Sequence, residues 1–486
     1  MKKILIALVP ALFILACTKD VTTLNVDPKR PQNVSSSSLF TSAQHNLVNT
    51  VTTPNVNSNI FRLIEQQWQE TTYIDESQYD LQSRNIPDNF WNNLYRTVLK
   101  NFEESKKVMP TDVTDAGQLK NQLAILDIME VYAWHYLVTT YGNIPYTEAL
   151  NIDNTFPKYD DALTIYKDLL TRLDADLAAL DPAAASFGSA DAIYDGDPVQ
   201  WRKFANSLKL KLAMVIADAD AATSRTAAEA AVAGGLLASN DDNAKFPYVT
   251  TTPNTNPVWV DLIQSGRLDF VAASTITDIM NGLNDPRRPL YFTRSNPLKD
   301  ANGNDLPPIY KGGTPGVSSA YANFSHAAVA LTNADFPGNI LDYSEVQFLL
   351  AEAAARSYNV GGTAATFYAN AVRASILDWG GDDAQASAYL LQPTVAYATA
   401  AGNYRQKIGI QKWISLYNRG IDAWVEQRRL DYPALEPAED ALSGFPNRFT
   451  YPVNEQNVNN ANRTTAAAAL GGEGDVVETK LFFDKF

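Results

Sequence analysis

Sulfur and imidazole are scarce in this chain of 486 residues. A single cysteine, Cys17, leaves no intrachain disulfide framework and no cysteine-based zinc site to build. His45, His135 and His326 are the only histidines, and none lies three or four positions from another. That spacing excludes an HExxH helix and a clustered-imidazole metal site. No G-x-S-x-G elbow, Walker A loop or G-x-G-x-x-G turn occurs, so no cofactor and no metal is expected. Long apolar runs are missing as well. The longest covers residues 4–16, shorter than the ~20 residues that cross a bilayer, which excludes a polytopic membrane protein. Positive charge is the minority sign. Lys and Arg total 39 against 54 Asp and Glu, a net −15 that repels phosphate backbones and argues against a nucleic-acid partner.

What is present is a core. Apolar residues make up 45% and charged residues 19%, a globular composition and not a disordered one. The N-terminus reads as an address. Lys2 and Lys3 precede an apolar stretch that ends in Ile14-Leu15-Ala16-Cys17, the pattern of a lipoprotein signal cut before a cysteine that is then lipidated. On this reading residues 1–16 are the signal peptide and Cys17 carries the lipid. Their removal leaves 37 basic against 54 acidic residues, a net −17. One acyl chain holds a protein only marginally and several hold it firmly, so a multiply acylated Cys17 would serve as the membrane anchor. Residues 17–38, polar and rich in Asn, Pro and Ser, suit a lipidated terminus and tether, and residues 39–486 the body.

The body is read as mostly α. Residues 118–141 are apolar over most of the helical wheel, which implies a helix buried on several sides, stopped by Gly142 and Pro145. Leu163, Tyr166, Leu170, Leu173, Leu177 and Leu180 alternate spacings of three and four, an amphipathic helix over 160–180. Asp197-Pro198 opens the next helix as cap and first-turn proline, with Trp201, Phe204, Leu208 and Leu212 on one face. Residues 240–335 are rich in Pro, Asn, Gly and Thr and read as irregular structure with short helices. Helices are expected again at 344–358, opened by a Ser344/Gln347 capping box, at 363–378, and as one long element at 405–430. From 443 the tail reads as loops. Consecutive helix–turn–helix pairs suggest a tetratricopeptide-like stack, without a clean 34-residue repeat.

Chemistry-bearing candidates are few. Residues 300–305 (Asp-Ala-Asn-Gly-Asn-Asp) resemble the start of a calcium loop, but the glycine is misplaced and the closing glutamate missing, so an Asn-Gly turn fits better. Fifty-four carboxylates could contain the acid pair of a glycosidase, and no spacing identifies it. His135, inside the apolar helix, reads as a hydrogen-bonded core residue. The conspicuous resource is aromatic, with 23 Tyr, 20 Phe and 8 Trp. Rings in polar loops can stack on sugar faces while neighbouring Asn and Asp bond hydroxyls. Tyr73 and Tyr79 in the first long loop, and Tyr291, Phe292, Tyr310 and Tyr321 in the irregular region, are the ligand-binding candidates. The alternative is that these rings pin their own loops to the body.

Several segments occur in a recognisable order: LNVDPKRP at 24–31, YGNIPYTEAL at 141–150, DAIYDGDPVQWRKFANSLKLKLAMVIAD at 191–218 and LNDPRRPLYF at 283–292. LDYSEVQFLLAEAAAR at 341–356, IGIQKWISLYNRGIDAWVEQRRLDYP at 408–433 and FPNRFTYPVNEQNVN at 445–459 follow. In this order, behind the lipobox at Cys17, they resemble the SusD/RagB family of nutrient-binding outer-membrane lipoproteins over nearly the whole mature chain. One departure lies at the C-terminus, where Phe482-Phe483-Asp484 stands in place of the family's frequent Trp-Trp-Asp; the same packing role is expected. Arg428 and Arg429 in the QRR segment are expected to pair with acidic neighbours near a helix C-terminus. The resemblance implies a SusD-like helical body. It also implies a non-enzymatic, surface-exposed outer-membrane lipoprotein that binds glycan, or a peptide-type nutrient, and hands it to a SusC-type TonB-dependent transporter. An all-α glycoside hydrolase and a helical-repeat scaffold for protein partners are the other readings.

Overall fold

The structure, a computed structural model, describes residues 34–297, 299 and 302–486. The signal segment, Cys17, most of the tether and Asp300 lie outside the described residues. Residues Ser36–Phe486 form one compact unit. It is built of ten longer helices, several shorter ones and three small two-stranded sheets. The first helix, α1, runs Ser36–Thr52, so Ser36 to Ser38 are helical and not tether. α2 (Lys100–Asp112) continues a helical segment that begins at Ile86 and passes through a π-turn stretch at Asn93–Leu99.

α3 (Ala116–Tyr141) is buried almost all round, as its unbroken apolar wheel requires. Asp115 caps it by accepting from the Gln118 amide at 2.8 Å. Gly142 ends it at φ +85°, a left-handed conformation that favours glycine, with the Leu470 and Leu481 side chains packed close above it. α4 (Ala162–Ala179) follows the spacing of its leucines, with Tyr166, Leu170 and Leu173 buried. α5 (Pro198–Val215) starts where Asp197 accepts from the Val199 amide, and it buries Trp201, Phe204, Leu208 and Leu212 completely. Each of those large side chains contributes roughly 1.5–3 kcal/mol by leaving water. α6 (Ala221–Gly234) returns against α5.

α7 (Tyr343–Ala355) and α8 (Ala364–Asp378) form the next pair. The expected cap is corrected here. Asp342, not Ser344, accepts from the Glu345 amide at 2.7 Å, and Ser344 lies inside the helix, donating to the Ala371 carbonyl. The long helix expected at 405–430 is two, α9 (Tyr404–Ser415) and α10 (Gly420–Leu430). Asn418 takes a left-handed φ of +70° between them, and a Cβ on Gly420 would come within 2.6 Å of the Arg62 amide. The left-handed Asn418 separates the two helices, and the close approach of Arg62 requires the glycine that opens the second. The tail is not all loop: Val453–Val458 and Asn460–Ala469 are helical. Phe483 is buried, and Phe482 packs on Tyr166 at 5.1 Å. Successive helices pack as pairs, the tetratricopeptide-like arrangement the sequence suggested.

Charged side chains fasten these pairs internally. Arg419 bonds Asp342, Glu345 and Asp422 at 2.6–2.9 Å, and Lys211 reaches Glu345 at 3.0 Å, all inside the body. Arg429 pairs with Glu352 and Glu426, as expected. Arg428 does not pair. It donates to the Thr139 and Asn447 carbonyls and lies 3.4 Å over the Trp424 ring. His135 is a core residue, bonded through Nδ1 to the Tyr166 hydroxyl and kept neutral by burial, which holds its pKa well below the usual imidazole value.

Three antiparallel pairs punctuate the helices: β1 (Trp68–Glu70), β2 (Ile144–Pro145), β3 (Tyr159–Asp160), β4 (Ala244–Phe246), β5 (Phe270–Ala272) and β6 (Gly338–Leu341) join as β1–β5, β2–β3 and β4–β6. The 270–327 segment hangs on main-chain bonds. Ala272 donates to the Ser325 carbonyl, Gly313 to Ala272, Ser325 to Lys311 and Thr293 to His326.

Candidate functional site

The β1–β5 pair brings the first polar loop against the irregular region, with Glu70 opposite Phe270 and Trp68 opposite Ala272. A depression of about 130 Å³ opens beside it, between the turn at Pro54–Asn57, the strand end at Glu70–Tyr73, and Glu76, Arg84 and Asp261. A smaller one of about 30 Å³ adjoins it, lined by Trp68, Ile263, Tyr321, His326 and Thr332. Arg267, Asp269 and Phe270 line both, which makes them one groove.

Two of the six aromatic candidates stand on this groove. Tyr73 is 66% exposed, a large ring left in water at the rim. Tyr321 is half-buried and stacks face to face on His326, with centroids 3.7 Å apart and planes 5° from parallel. His326 Nε2 donates to the Tyr321 carbonyl at 2.7 Å, which fixes the ring pair as a flat platform. Tyr310 lies away from the groove lining, half-buried between Arg288 and Arg294 at 5.7 and 5.8 Å. The other three candidates are corrected. Tyr79 is 3% exposed, and its hydroxyl accepts from the Ala438 amide. Tyr291 is fully buried, stacked on Tyr417 at 4.4 Å and donating to the Ile414 carbonyl. Phe292 packs edge-on against Tyr417 at 5.0 Å. No ligand can reach these rings. They pin their own loops, because a ring in a polar stretch of sequence can still turn its face inward.

The groove floor is acidic. Glu70 Oε2 accepts from the Ser77 amide at 2.9 Å and hydroxyl at 2.8 Å. Burial, and then the charge of Glu76 touching it, push the Glu70 carboxyl up to about 8. Glu76 is paired through Oε1 with Arg84. Asp261 is also raised, chiefly by burial. At the rim Arg267 pairs with Asp269 at 2.6 Å. Asn55, Asn57, Thr71 and Thr72 add amide and hydroxyl groups beside the Tyr73 ring. Sequence reasoning missed every one of these polar residues, since three separate loops supply them and no spacing links them. Among the described residues no group of three or more His, Cys, Asp or Glu side chains could hold a metal ion.

The family whose description reads "starch-binding associating with outer membrane", SusD-like, matches residues 28–452. The chain belongs to the SusD-like family. Its SusD-like fold is shared with solved structures at full length. A protein described as chitin-binding is 26% identical, with 93% of this chain and 100% of that one covered at a TM-score of 0.79. A chitin-binding SusD homolog from Flavobacterium johnsoniae is 25% identical, with coverage of 92% and 98% and a TM-score of 0.78. A SusD homolog from Bacteroides uniformis is 27% identical, with coverage of 92% and 99% and a TM-score of 0.77. No curated protein matches the chain. The SusD-like family is one of outer-membrane-associated binding proteins, and no described helix here is long and apolar enough to cross a membrane.

Proposed function

We propose that this SusD-like chain is a surface-exposed outer-membrane lipoprotein that binds a glycan in the Tyr73–Tyr321 groove and delivers it to a SusC-type TonB-dependent transporter. The observation that carries the reading is the pairing of the exposed Tyr73 ring and the half-buried Tyr321 with amide and hydroxyl groups in one open groove. Sugar rings have apolar faces that stack on Tyr, and edges that need hydrogen bonds. Relatives described as chitin-binding support the ligand class. Residues 1–16 would be the signal peptide, Cys17 the lipid anchor, the stretch to about 35 the tether, and 36–486 the binding body. With no described helix able to cross a membrane, capture is useful only if a closed barrel takes the ligand over.

Glu70 and Glu76 do not have the spacing of a glycosidase acid pair. A glycosidase holds its two carboxyls about 5 Å or more apart, on either side of the sugar. Glu70 and Glu76 touch each other beneath the groove. Titration calorimetry against a panel of neutral oligosaccharides, chitin- and starch-derived among them, tests the reading. Saturable binding without turnover is expected, weakened by Tyr73→Ala and Tyr321→Ala together. Unchanged affinity in that double variant moves the site elsewhere. Co-purification of a stoichiometric β-barrel partner from solubilised membranes is the corresponding test of delivery.

A further inference from the structure

The loop that lifts Tyr73 to the groove rim runs from Glu70, at the end of β1, to Ser77. One carboxyl ties its two ends together, since Glu70 Oε2 accepts from the Ser77 amide at 2.9 Å and from its hydroxyl at 2.8 Å. On the strand side Thr71 donates through its amide to the Asp269 carbonyl and through its hydroxyl to the Leu268 carbonyl. Between these ties the Tyr73 ring stands mostly in water. Where that ring sits is therefore set by what happens at Glu70.

Glu76 lies inside the same loop. Glu70 and Glu76 are both buried, and their carboxyls touch. A single paired cation serves the two: Arg84, on Glu76 Oε1. Among the described residues no N–H or hydroxyl group reaches the other Glu76 oxygen, and the contact between the carboxyls is a hydrogen bond only while one of them carries a proton. Two carboxylates in contact away from water repel strongly, and one shared proton removes the repulsion. With the proton, Glu70, Glu76 and Arg84 together are neutral. Without it, they keep one uncompensated negative charge in a buried place.

The charges that face the pair from elsewhere do not take the place of the proton. Asp75 acts on Arg84 from within the loop. Asp261, in the turn Val260–Gln264, and Asp269, before β5, line the same depression and add negative charge. Arg267, the other cation of that lining, is paired with Asp269 at 2.6 Å. Burial and then the Glu76 charge raise Glu70 to about 8, so the proton is held at neutral pH and lost in mild alkali.

We propose that Glu70 and Glu76 form a proton-locked clamp, which holds the Tyr73 loop in its binding position and releases it when the proton is lost. Its effect on capture rests on the groove reading, since Tyr73 is the ring that the clamp positions. With both carboxyls ionised, Glu76 is driven from Glu70 towards the open depression, and the loop that carries Tyr73 moves with it. The clamp is closed below the titration of the pair and opens as pH rises through it.

Two measurements on the purified protein at pH 6, 7, 8 and 9 test this: titration calorimetry with chitohexaose and maltohexaose, and hydrogen exchange of residues 71–77 without ligand. If glycan binds only the protonated form, wild-type affinity falls about tenfold from pH 7 to pH 9 around a midpoint of about 8. Exchange in the loop, corrected for its intrinsic rise with pH, should increase over the same interval. Glu70→Gln can donate to Glu76 and accept from Ser77 but has no proton to lose. Relative to its own value at pH 6, its affinity and its exchange should stay level. Glu65 and the other raised carboxyls are present in both proteins and cancel. Thermal melts at pH 9 establish that each is folded, and Glu76→Gln decides if Glu70→Gln is not. A wild-type affinity that stays level, or a fall that Glu70→Gln shares, overturns the clamp and leaves the groove reading standing. No binding of either oligosaccharide at any pH, with pH-dependent exchange confined to the wild type, removes the groove reading and supports the clamp. Level exchange in the wild type overturns the clamp whether or not glycan binds.

Discussion

Glu65 is a carboxyl sealed in the body, and its replacement by Gln should make the protein less sensitive to alkali. One oxygen accepts from Trp413 Nε1 at 2.8 Å, and the other is buried with no partner. Burial raises the carboxyl to about 8 from a reference of 4.5, against the opposing pull of the Trp413 bond and the Arg428 charge. A raised carboxyl binds its proton more tightly in the folded than in the unfolded chain. Its contribution is therefore fully present below about 4.5 and is lost as pH climbs towards 8. Linkage between those two values gives a loss of about 4 kcal/mol from pH 5 to pH 9, a large part of an ordinary folding free energy. Gln keeps the shape and an oxygen for Trp413 but has no proton to lose. Urea unfolding of the wild type and Glu65→Gln at pH 5, 7 and 9 reads the difference, with equal m-values showing that the same surface unfolds. Other raised carboxyls act equally in both proteins and cancel. The gap should widen in favour of Gln by about 3–5 kcal/mol over that range. Parallel curves would refute the reasoning, since they would mean that Glu65 stays ionised in the fold with Arg428 as its counterion.

Further expectations follow from single contacts. Tyr73→Ala should leave the melting temperature unchanged, because the ring is largely in water, yet lower glycan affinity about fivefold to a hundredfold if stacking there matches the ~1–3 kcal/mol of a base on an aromatic ring. Glu76→Gln should bring Glu70 back towards its ordinary value by removing the neighbouring charge, visible in a carbon-detected carboxyl titration; an unmoved midpoint would leave burial as the sole cause. Arg419→Met strands Asp342, Glu345 and Asp422 around Lys211 and should cost about 3–5 kcal/mol in urea unfolding, so a smaller loss would show that water enters to replace it. Cys17→Ala should abolish palmitate labelling and release the protein from the membrane fraction.

What the sequence disclosed was whatever neighbours in the chain decide. The leucine spacing placed α4, Asp197-Pro198 placed the start of α5, and the unbroken apolar wheel of α3 announced both its burial and the core position of His135. What it hid was set by distant partners. Nothing local separates Ser344 from Asp342 as a cap until the helix packs and Ser344 finds the Ala371 carbonyl. The break before Gly420 goes with a left-handed Asn418 whose carbonyl and side chain accept from Arg62, a partner far away in the chain. Tyr73 and Tyr79 sit six residues apart in the same polar loop. One faces water and the other faces Ala438, and only the three-dimensional path of the loop tells them apart. Glu70, Glu76, Arg267 and Asp269 were invisible for the same reason: the groove is a meeting of loops.

The loop platform from 270 to 327 is joined to itself mostly by amides and carbonyls, as in the links among Ala272, Lys311, Gly313 and Ser325. Such links do not depend on which side chain each residue carries. A lineage could therefore exchange the side chains that this segment presents to the groove, Tyr321 and His326 among them, one point mutation at a time, while the backbone that presents them stays in register. Each exchange would alter what is captured without reopening the question of how the chain folds. A surface of that kind can follow a changing diet of polymers faster than the helical body beneath it changes. It also offers the protein engineer a place to vary the presented residues with little risk to the rest.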